Sequence, residues 1–269
     1  NFMACADLID FARDKGLYDP KQGKFDFHEA YSKDDEADTT YNYPRVWGLQ
    51  QMFSPDIHND VTKNTFPVFA KAKSPITIQD MRLAFHFHYD GTEHDPYLHS
   101  NGKEPYRPVA IFRTTQTHIL QVRPQLPKEI GCITYVALGM ADLGIFLPLY
   151  QGVSRFPHAY LIGNSHADNE SAYWKFRKVM TLGMQNYNVY APVIKEAYQH
   201  LESENDRRQK EMEAEYLKIY KNQPMRAKDL LQQFSDDILN RALAVADRLQ
   251  NEIFTRLTQD VQNEYMFHG

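Results

Sequence analysis

The sequence predicts an α+β fold: one antiparallel sheet under a helical layer, closed by long C-terminal helices. Three observations predict it. Short apolar segments punctuated by turn residues fill positions 105–163, and everything beyond position 168 is helical in pattern. The links between the sheet segments are also too short for crossover helices, which favours a meander. With 269 residues the chain can bury a large core. We treat 1–269 as one domain, with a mixed region at 1–163 and a helical region at 168–269.

The opening stretch, "NFMACADLIDFARDKG", repeats Ala4, Leu8, Ile9 and Ala12 at helical spacing and stops at Lys15-Gly16. It begins inside a helical pattern with no initiator methionine, so an N-terminal half of the protein is expected to lie outside this sequence. A turn-rich stretch follows. Its acidic run, Asp34-Asp35-Glu36, lacks the ligand spacing of a calcium loop and reads as a solvated loop. "FPVFAKA" (66–72) reads as a short strand. In "SPITIQDMRLAFHFHYDGT", Thr77 and Asp80 have the form of a capping box with Asp in place of Glu. Met81, Ala84, Phe85 and His88 continue at helical spacing, and Gly91 ends the run.

The sheet region opens with "RPVAIFRT" (107–114) and "THILQVRP" (117–124), separated by Thr115-Gln116 and predicted as a hairpin or bent pair. "CITYVAL" (132–138) and "GIFLPLY" (144–150) follow, with Gly139 and Gly144 as punctuation, and "AYLIG" (159–163) adds one more segment. "NESAYWKFRKVMTLGMQ" predicts a helix capped by Asn169 or Ser171. A second helix is predicted over 192–221, with Pro192 in its first turn and a middle charged all round, read as a solvated face carrying Glu204–Arg208 and Arg207–Glu211 pairs. The last helix starts at Pro224. Its apolar stripe runs through Leu230, Phe234, Ile238, Ala242, Val245, Leu249, Ile253, Leu257 and Val261, about 55 Å if unbroken, and reads as core or an oligomer seam.

Composition excludes several function classes. A net charge of −5 argues against nucleic acid or an anionic membrane surface as the main partner. No apolar run approaches the roughly 18 residues of a membrane span, and no signal peptide opens the chain. Cys5 and Cys132 are the only cysteines, which fits two reduced thiols in a cytoplasmic protein better than a disulfide scaffold.

The stretch "LAFHFHYDGTEHDPYLH" holds four histidines, His86, His88, His94 and His99, and raises a metal site. On a helix, positions two apart point about 200° from each other, so His86 and His88 cannot share one ion. No H-E-x-x-H or cysteine ligand set is present, and no metal is expected. His86 is then a partly exposed histidine, and His88 one held by hydrogen bonds at a helix end. There is no G-x-S-x-G, P-loop or G-x-G-x-x-G. By motif alone this is an α+β domain of unknown task.

The succession "YNYPRVWGLQQMFSP", "HYDGTEHDPY", "YRPVAIFRTTQTHILQVRP", "LGIFLPLYQGVSRFP" and "SAYWKFRKVM" resembles the C-terminal portion of the C69 (formerly U34) dipeptidases of the dipeptidase A type. The resemblance covers most of residues 1–190, in order, and weakens in the two long helices. It implies an N-terminal-nucleophile hydrolase with an αββα sandwich, of which this chain carries one sheet and a covering layer. It also implies hydrolysis of dipeptides by the thiolate of a cysteine at the mature N-terminus, with that residue's own α-amine as base and no cofactor. Asn1 is no nucleophile and Cys5 lies in a predicted helix, so the cysteine is expected in the absent half and this chain alone is expected to be inactive.

What this chain contributes, on that resemblance, is the electrophile side. Arg107 in "PYRPV" resembles the active-site arginine that related amidases hold at a strand start, positioned for the oxyanion or substrate. Arg113 is a weaker competitor, because six residues along one regular strand would place it on the same face. His88, Asp90 and Thr92 around the Gly91 turn are candidates for substrate binding, and Asp90 or Asp95 for holding the free amine of a dipeptide. His118 reads as a packed core histidine, and Tyr173 with Trp174 as a helix-to-sheet anchor. The expected partners are a dipeptide substrate, the missing N-terminal half and further copies in a homo-oligomer. Three alternatives stay open: an amidase or acylase on the same scaffold, a zinc-dependent hydrolase using His86, His88 and His94, and a non-catalytic interaction domain.

Overall fold

The computed structural model describes residues 3–33, 35–98 and 105–264. Asn1, Asp34 of the acidic run and His99 lie outside these. Helix α1 (Leu8–Asp14) begins after Cys5, which is exposed, and the chain turns at Gly16 in the left-handed region. The expected stripe is only partly used: Ala12 is buried, whereas Ile9 faces solvent. Three helices follow in the turn-rich stretch, α2 (Phe27–Tyr31), α3 (Asp38–Tyr41) and α4 (Tyr43–Phe53). Residues 66–72 form no strand. Pro67 cannot donate to a ladder, and Val68 and Phe69 are exposed.

Helix α5 (Ile78–His86) starts at the predicted capping box. Asp80 N–H donates to Thr77 Oγ1 at 3.1 Å, and Thr77 N–H donates to Asp80 Oδ2 at 2.8 Å. It ends earlier than the spacing suggests, because Phe87 is extended, so His88 stands beyond the helix.

The sheet has the order β1 (Gln116–Val122), β2 (Cys132–Leu138), β3 (Leu147–Tyr150), all antiparallel, with the one-turn helix α6 (Lys128–Gly131) between β1 and β2. The partner of β1 is therefore β2 and not 107–114. That segment is irregular: Arg107 N–H donates to Thr40 O at 2.9 Å, and Val109 and Ala110 N–H both donate to Phe87 O. Pro108 has no N–H for a ladder, and the donors on either side of it are spent on α3 and the end of α5. The same-face comparison of Arg107 with Arg113 lapses with the strand. Residues 159–163 likewise give a 3-10 turn, His158–Tyr160.

Helix α7 (Ala172–Gly183) is capped by Ser171, whose Oγ accepts from Trp174 N–H. The Trp174 indole donates to Asn164 O at 3.0 Å, so it anchors the preceding loop instead of the sheet. Helix α8 (Tyr187–Ile219) starts five residues before Pro192, which lies inside the helix and removes one ladder bond there. Helix α9 (Pro224–Glu264) returns along α8 for 41 residues, about 60 Å. Its stripe is core from Phe234 to Ile253, while Val261 is exposed.

The core lies between one sheet face and the three long helices. Ile119, Ile133, Tyr135 and Ala137 of the sheet meet Phe176 and Met180 of α7, Ile194 and Leu201 of α8, and Leu231 and Ile238 of α9. Gly139, in the left-handed region at the end of β2, lets the chain pass α7, since a Cβ there would lie 2.5 Å from Met180 Sδ. The middle of α8 is not a uniformly solvated face. Glu202, Asn205 and Gln209 are buried, and Glu202 accepts from Phe146 N–H at 2.7 Å; burial pushes its carboxyl up to about 7 against the field of Arg82. Glu204 pairs with Arg241 and Arg208 with Asp237 across the helical hairpin, whereas the Arg207–Glu211 pair forms as expected. The opposite sheet face is open: Leu120 and Val122 are 67% and 70% exposed, and His118 stands beside them on solvent instead of in the core.

Candidate active site

The site grows from the turn that ends α5. Tyr89 has φ +67° and Gly91 φ +71°, so two left-handed residues fold the chain back within a few positions. Gly91 takes that conformation freely. For Tyr89 it costs on the order of 1–3 kcal/mol and must be held by its surroundings. The Tyr89 ring lies 4.7 Å from Phe87 and 5.4 Å from Tyr106, and its hydroxyl donates to Arg107 O at 3.1 Å. Thr92 closes the turn, its Oγ1 donating to Tyr89 O at 2.8 Å and accepting from His94 N–H at 3.2 Å. The result is that His88 points into the protein while Asp90, two residues on, reaches solvent.

His88 is buried among acceptors. Its Nδ1 lies 3.0 Å from Asp95 Oδ1, and Nε2 lies 2.8 Å from Asp90 Oδ1 and 2.8 Å from the Tyr187 hydroxyl. Tyr187 donates its proton to Asp142 Oδ2 at 2.5 Å, so towards His88 it offers a lone pair. Lys195 Nζ stands 2.7 Å from Asp142 Oδ1, 2.9 Å from the Tyr187 oxygen and 3.3 Å from His88 Nε2. With acceptors on both ring nitrogens, the imidazolium is the form that satisfies the network. Burial opposes that charge, but the Asp90 hydrogen bond and the fields of Asp142 and Asp90 outweigh it and raise the His88 pKa above the ordinary histidine value. Burial likewise opposes the Asp90 charge, yet its bond from His88 and the nearby cations hold its carboxyl below the usual range. Burial and Asp142 push the Tyr187 phenol far up, keeping it a donor.

Two cations, His88 and Lys195, thus face three carboxylates. Of the three, Asp90 has a side chain that is 65% exposed, whereas that of Asp142 is fully buried. Asp95 is spent on the scaffold, accepting from His88 and from Tyr97 N–H at 2.9 Å, and it is buried away from any ligand. Thr92 is spent on the turn. Of the four predicted binding residues the structure brings together His88, Asp90 and Asp95, of which Asp90 is the exposed one; Thr92 is exposed as well, with its hydroxyl bonded within the turn.

Among the described residues one group has metal-like proximity, His88, Asp90 and Asp95, with ligand atoms within 4.8 Å of one another. The two carboxylates lie against opposite nitrogens of the ring, and Lys195 Nζ stands 3.3 Å from Nε2. His86 stacks on Phe146 at 6.1 Å and His94 on Tyr106 at 3.9 Å, so the three histidines of the zinc alternative serve three different neighbours. Burial drives the His86 pKa down to about 4. Arg107 joins the site through its backbone, bonded to Tyr89; its guanidinium lies 5.6 Å from the Tyr41 ring centre, beside Arg45, whose pKa is lowered by burial and by that neighbouring charge.

Residues 1–200 match the model of Peptidase family C69, three quarters of the chain and every residue of this cluster. The chain belongs to peptidase family C69. Among the relatives of this C69 chain, a protein named probable dipeptidase from Salmonella dublin is 50% identical over 157 residues, covering 58% of this chain and 36% of its own length. Dipeptidase A from Lactobacillus helveticus is 30% identical over 193 residues, 71% of this chain and 40% of that protein. A dipeptidase from Bifidobacterium longum is 27% identical over 194 residues, 67% and 36% respectively. The C69 chain thus spans about two fifths of the length of the curated relatives it matches.

Three residues of the C69 site escape the sequence: Asp142, Tyr187 and Lys195. Asp142 lies in a buried 3-10 turn, Ala141–Leu143, inside the "GMADLG" stretch that reads as turn punctuation. Tyr187 and Lys195 lie eight positions apart on α8, a spacing that puts them on one helix face and was the one available signal.

Proposed function

We propose that this chain is the substrate-binding portion of a cysteine-dependent dipeptidase, with the nucleophile on a part of the protein outside this sequence. The observation that carries the proposal is the Asp90 carboxylate. It is solvent-facing, is held ionised by a buried imidazolium, and belongs to a cluster of three carboxylates and two cations. Such a group fits the free α-ammonium that distinguishes a dipeptide from a capped amide. Membership of C69 and the dipeptidase names of the relatives support the same substrate.

In this account the cysteine thiolate attacks the peptide carbonyl carbon and the scissile C–N bond breaks. The leaving amine takes the proton that the cysteine's own α-amine removed from the thiol, and water then hydrolyses the thioester. Arg107, on the segment stitched to the Asp90 turn, is assigned to the oxyanion or the substrate carboxylate. His88 orients Asp90, while Asp95 and Thr92 hold the turn. The open sheet face around Leu120 and Val122 suits a second sheet, as in an αββα N-terminal-nucleophile sandwich, supplied by the missing half. No helix among the described residues is long and apolar enough to cross a membrane. A cytoplasmic homo-oligomer without cofactor completes the proposal.

The test is hydrolysis of L-Ala-L-Ala by the full-length protein and by this chain alone. Cleavage by the full-length protein only, abolished when its N-terminal cysteine is replaced, is the expected result. Equal activity of the 269-residue chain would overturn the division of labour. Faster cleavage of N-acetylated than of free dipeptides would favour an amidase or acylase.

A further inference from the structure

The cluster contains a competition that its geometry resolves. His88 has one Nε2–H, and two carboxylates lie near it: Asp90 Oδ1 at 2.8 Å and Asp142 Oδ1 at 3.5 Å. Asp142 is the fully buried one and, left to itself, would be the stronger claimant, since a buried carboxylate without a partner costs far more than an exposed one. Its charge is met from α8. Lys195 Nζ forms an ion pair with Oδ1 at 2.7 Å, although Oδ1 has no hydrogen-bond partner of good geometry, and the Tyr187 hydroxyl donates to Oδ2 at 2.5 Å, so the Asp142 charge is offset from α8 and the shorter Nε2 contact is the one to Asp90.

We propose that Lys195 and Tyr187 are positioning residues for substrate-amine recognition: by offsetting the charge of Asp142 they leave His88 to hold Asp90 in its amine-binding orientation. The proposal rests on the dipeptidase reading for the identity of the ligand, but not for the coupling itself. None of Lys195, Tyr187 and Asp142 need touch the substrate. The charged and titratable groups that face His88 are Asp90 and Asp95 from its own turn, Asp142 from the turn after β2, and Tyr187 and Lys195 from α8, with the Tyr97 ring packed at 5.2 Å.

The double substitution separates positioning from mere support. In Lys195→Met the buried Asp142 competes for His88 and Asp90 is released. In full-length protein the KM for L-Ala-L-Ala is expected to rise about ten- to a hundredfold, the range of one charge-assisted hydrogen bond, with kcat carrying the smaller share of the loss. Lys195→Met/Asp142→Asn removes the competitor as well and restores most of the KM. A packing role predicts the reverse, because the double variant removes more interactions than the single. Rescue confirms the coupling; a double variant as weak as, or weaker than, Lys195→Met overturns it. A second readout is independent of activity and uses the 269-residue chain. The Asp90 carboxyl, followed by carbon-detected NMR titration, stays below the usual aspartate range in wild type, moves up towards it in Lys195→Met, and returns in the double variant. An Asp90 titration indifferent to Lys195 would refute the coupling, whereas normal coupling in a protein that cleaves no dipeptide would refute the substrate and leave the coupling standing.

Discussion

His86 makes the protein acid-sensitive by a calculable amount. Its ring packs on Phe146, its Nε2 is buried without a hydrogen-bond partner, and burial holds its pKa near 4. An unfolded chain protonates the same ring near pH 6.5. Because the folded-state pKa is lowered, the penalty is absent above about pH 6.5 and grows as the pH falls through 6.5 towards 4, reaching about 3 kcal/mol. The neighbouring His88 has the opposite sign. Its raised pKa gives stability that is already complete below the ordinary value and is lost only as the pH rises through its folded value, so it adds no slope in the acid window. Aspartates with lowered pKa values, Asp90 among them, lose their contribution as the pH falls through their folded values, at the acid end of that window and below it. Urea denaturation of wild type and His86→Leu at pH 7.5, 6, 5 and 4 isolates the effect. The variant keeps the apolar contact and removes the titration, so its stability relative to wild type should improve by about 3 kcal/mol between pH 7 and 4. Parallel stability profiles would show that His86 takes up its proton without cost, and that water reaches its Nε2.

Other expectations concern the scaffold. Tyr89→Val and Tyr89→Asn both lose the ring contacts, but asparagine tolerates the left-handed region and a β-branched residue does not, so the valine variant should melt as the less stable by about 1 kcal/mol. Thr77→Ala removes the α5 cap and should cost about 1 kcal/mol in denaturant unfolding. Leu120→Asp with Val122→Asp should leave the unfolding free energy of this chain within about 0.5 kcal/mol of wild type, since both side chains are exposed, while abolishing its association with a co-expressed upstream half. Retained association would contradict the proposal that a second sheet packs on this face.

The sequence was most legible where one physical signal decides the outcome. The Thr77–Asp80 box, the Ser171 cap and the α9 stripe are local or strictly periodic, and each appears close to where it was expected. The segment 107–114 misled because its alternation is strand-like, yet its backbone donors are drawn to Thr40 and Phe87, which no local pattern reveals. His118 misled for a related reason: with the sheet's second face open, alternation does not say which side is the core. At the site, the Gly91 turn and the acidic residues around His88 were readable from one stretch. Asp142, Tyr187 and Lys195 were not, because long-range packing of α8 against the turn after β2 brings them together.

Substrate discrimination by Asp90 is the most direct test of its amine-binding role. Steady-state hydrolysis of L-Ala-L-Ala and N-acetyl-L-Ala-L-Ala should be measured with full-length wild type and Asp90→Asn. A charge-assisted bond to the ammonium, here at a solvent-facing carboxylate, predicts a loss of about tenfold or more in kcat/KM for the free dipeptide and little change for the acetylated one. Equal losses on both substrates, or none on either, would contradict the claim that this carboxylate reads the free amine.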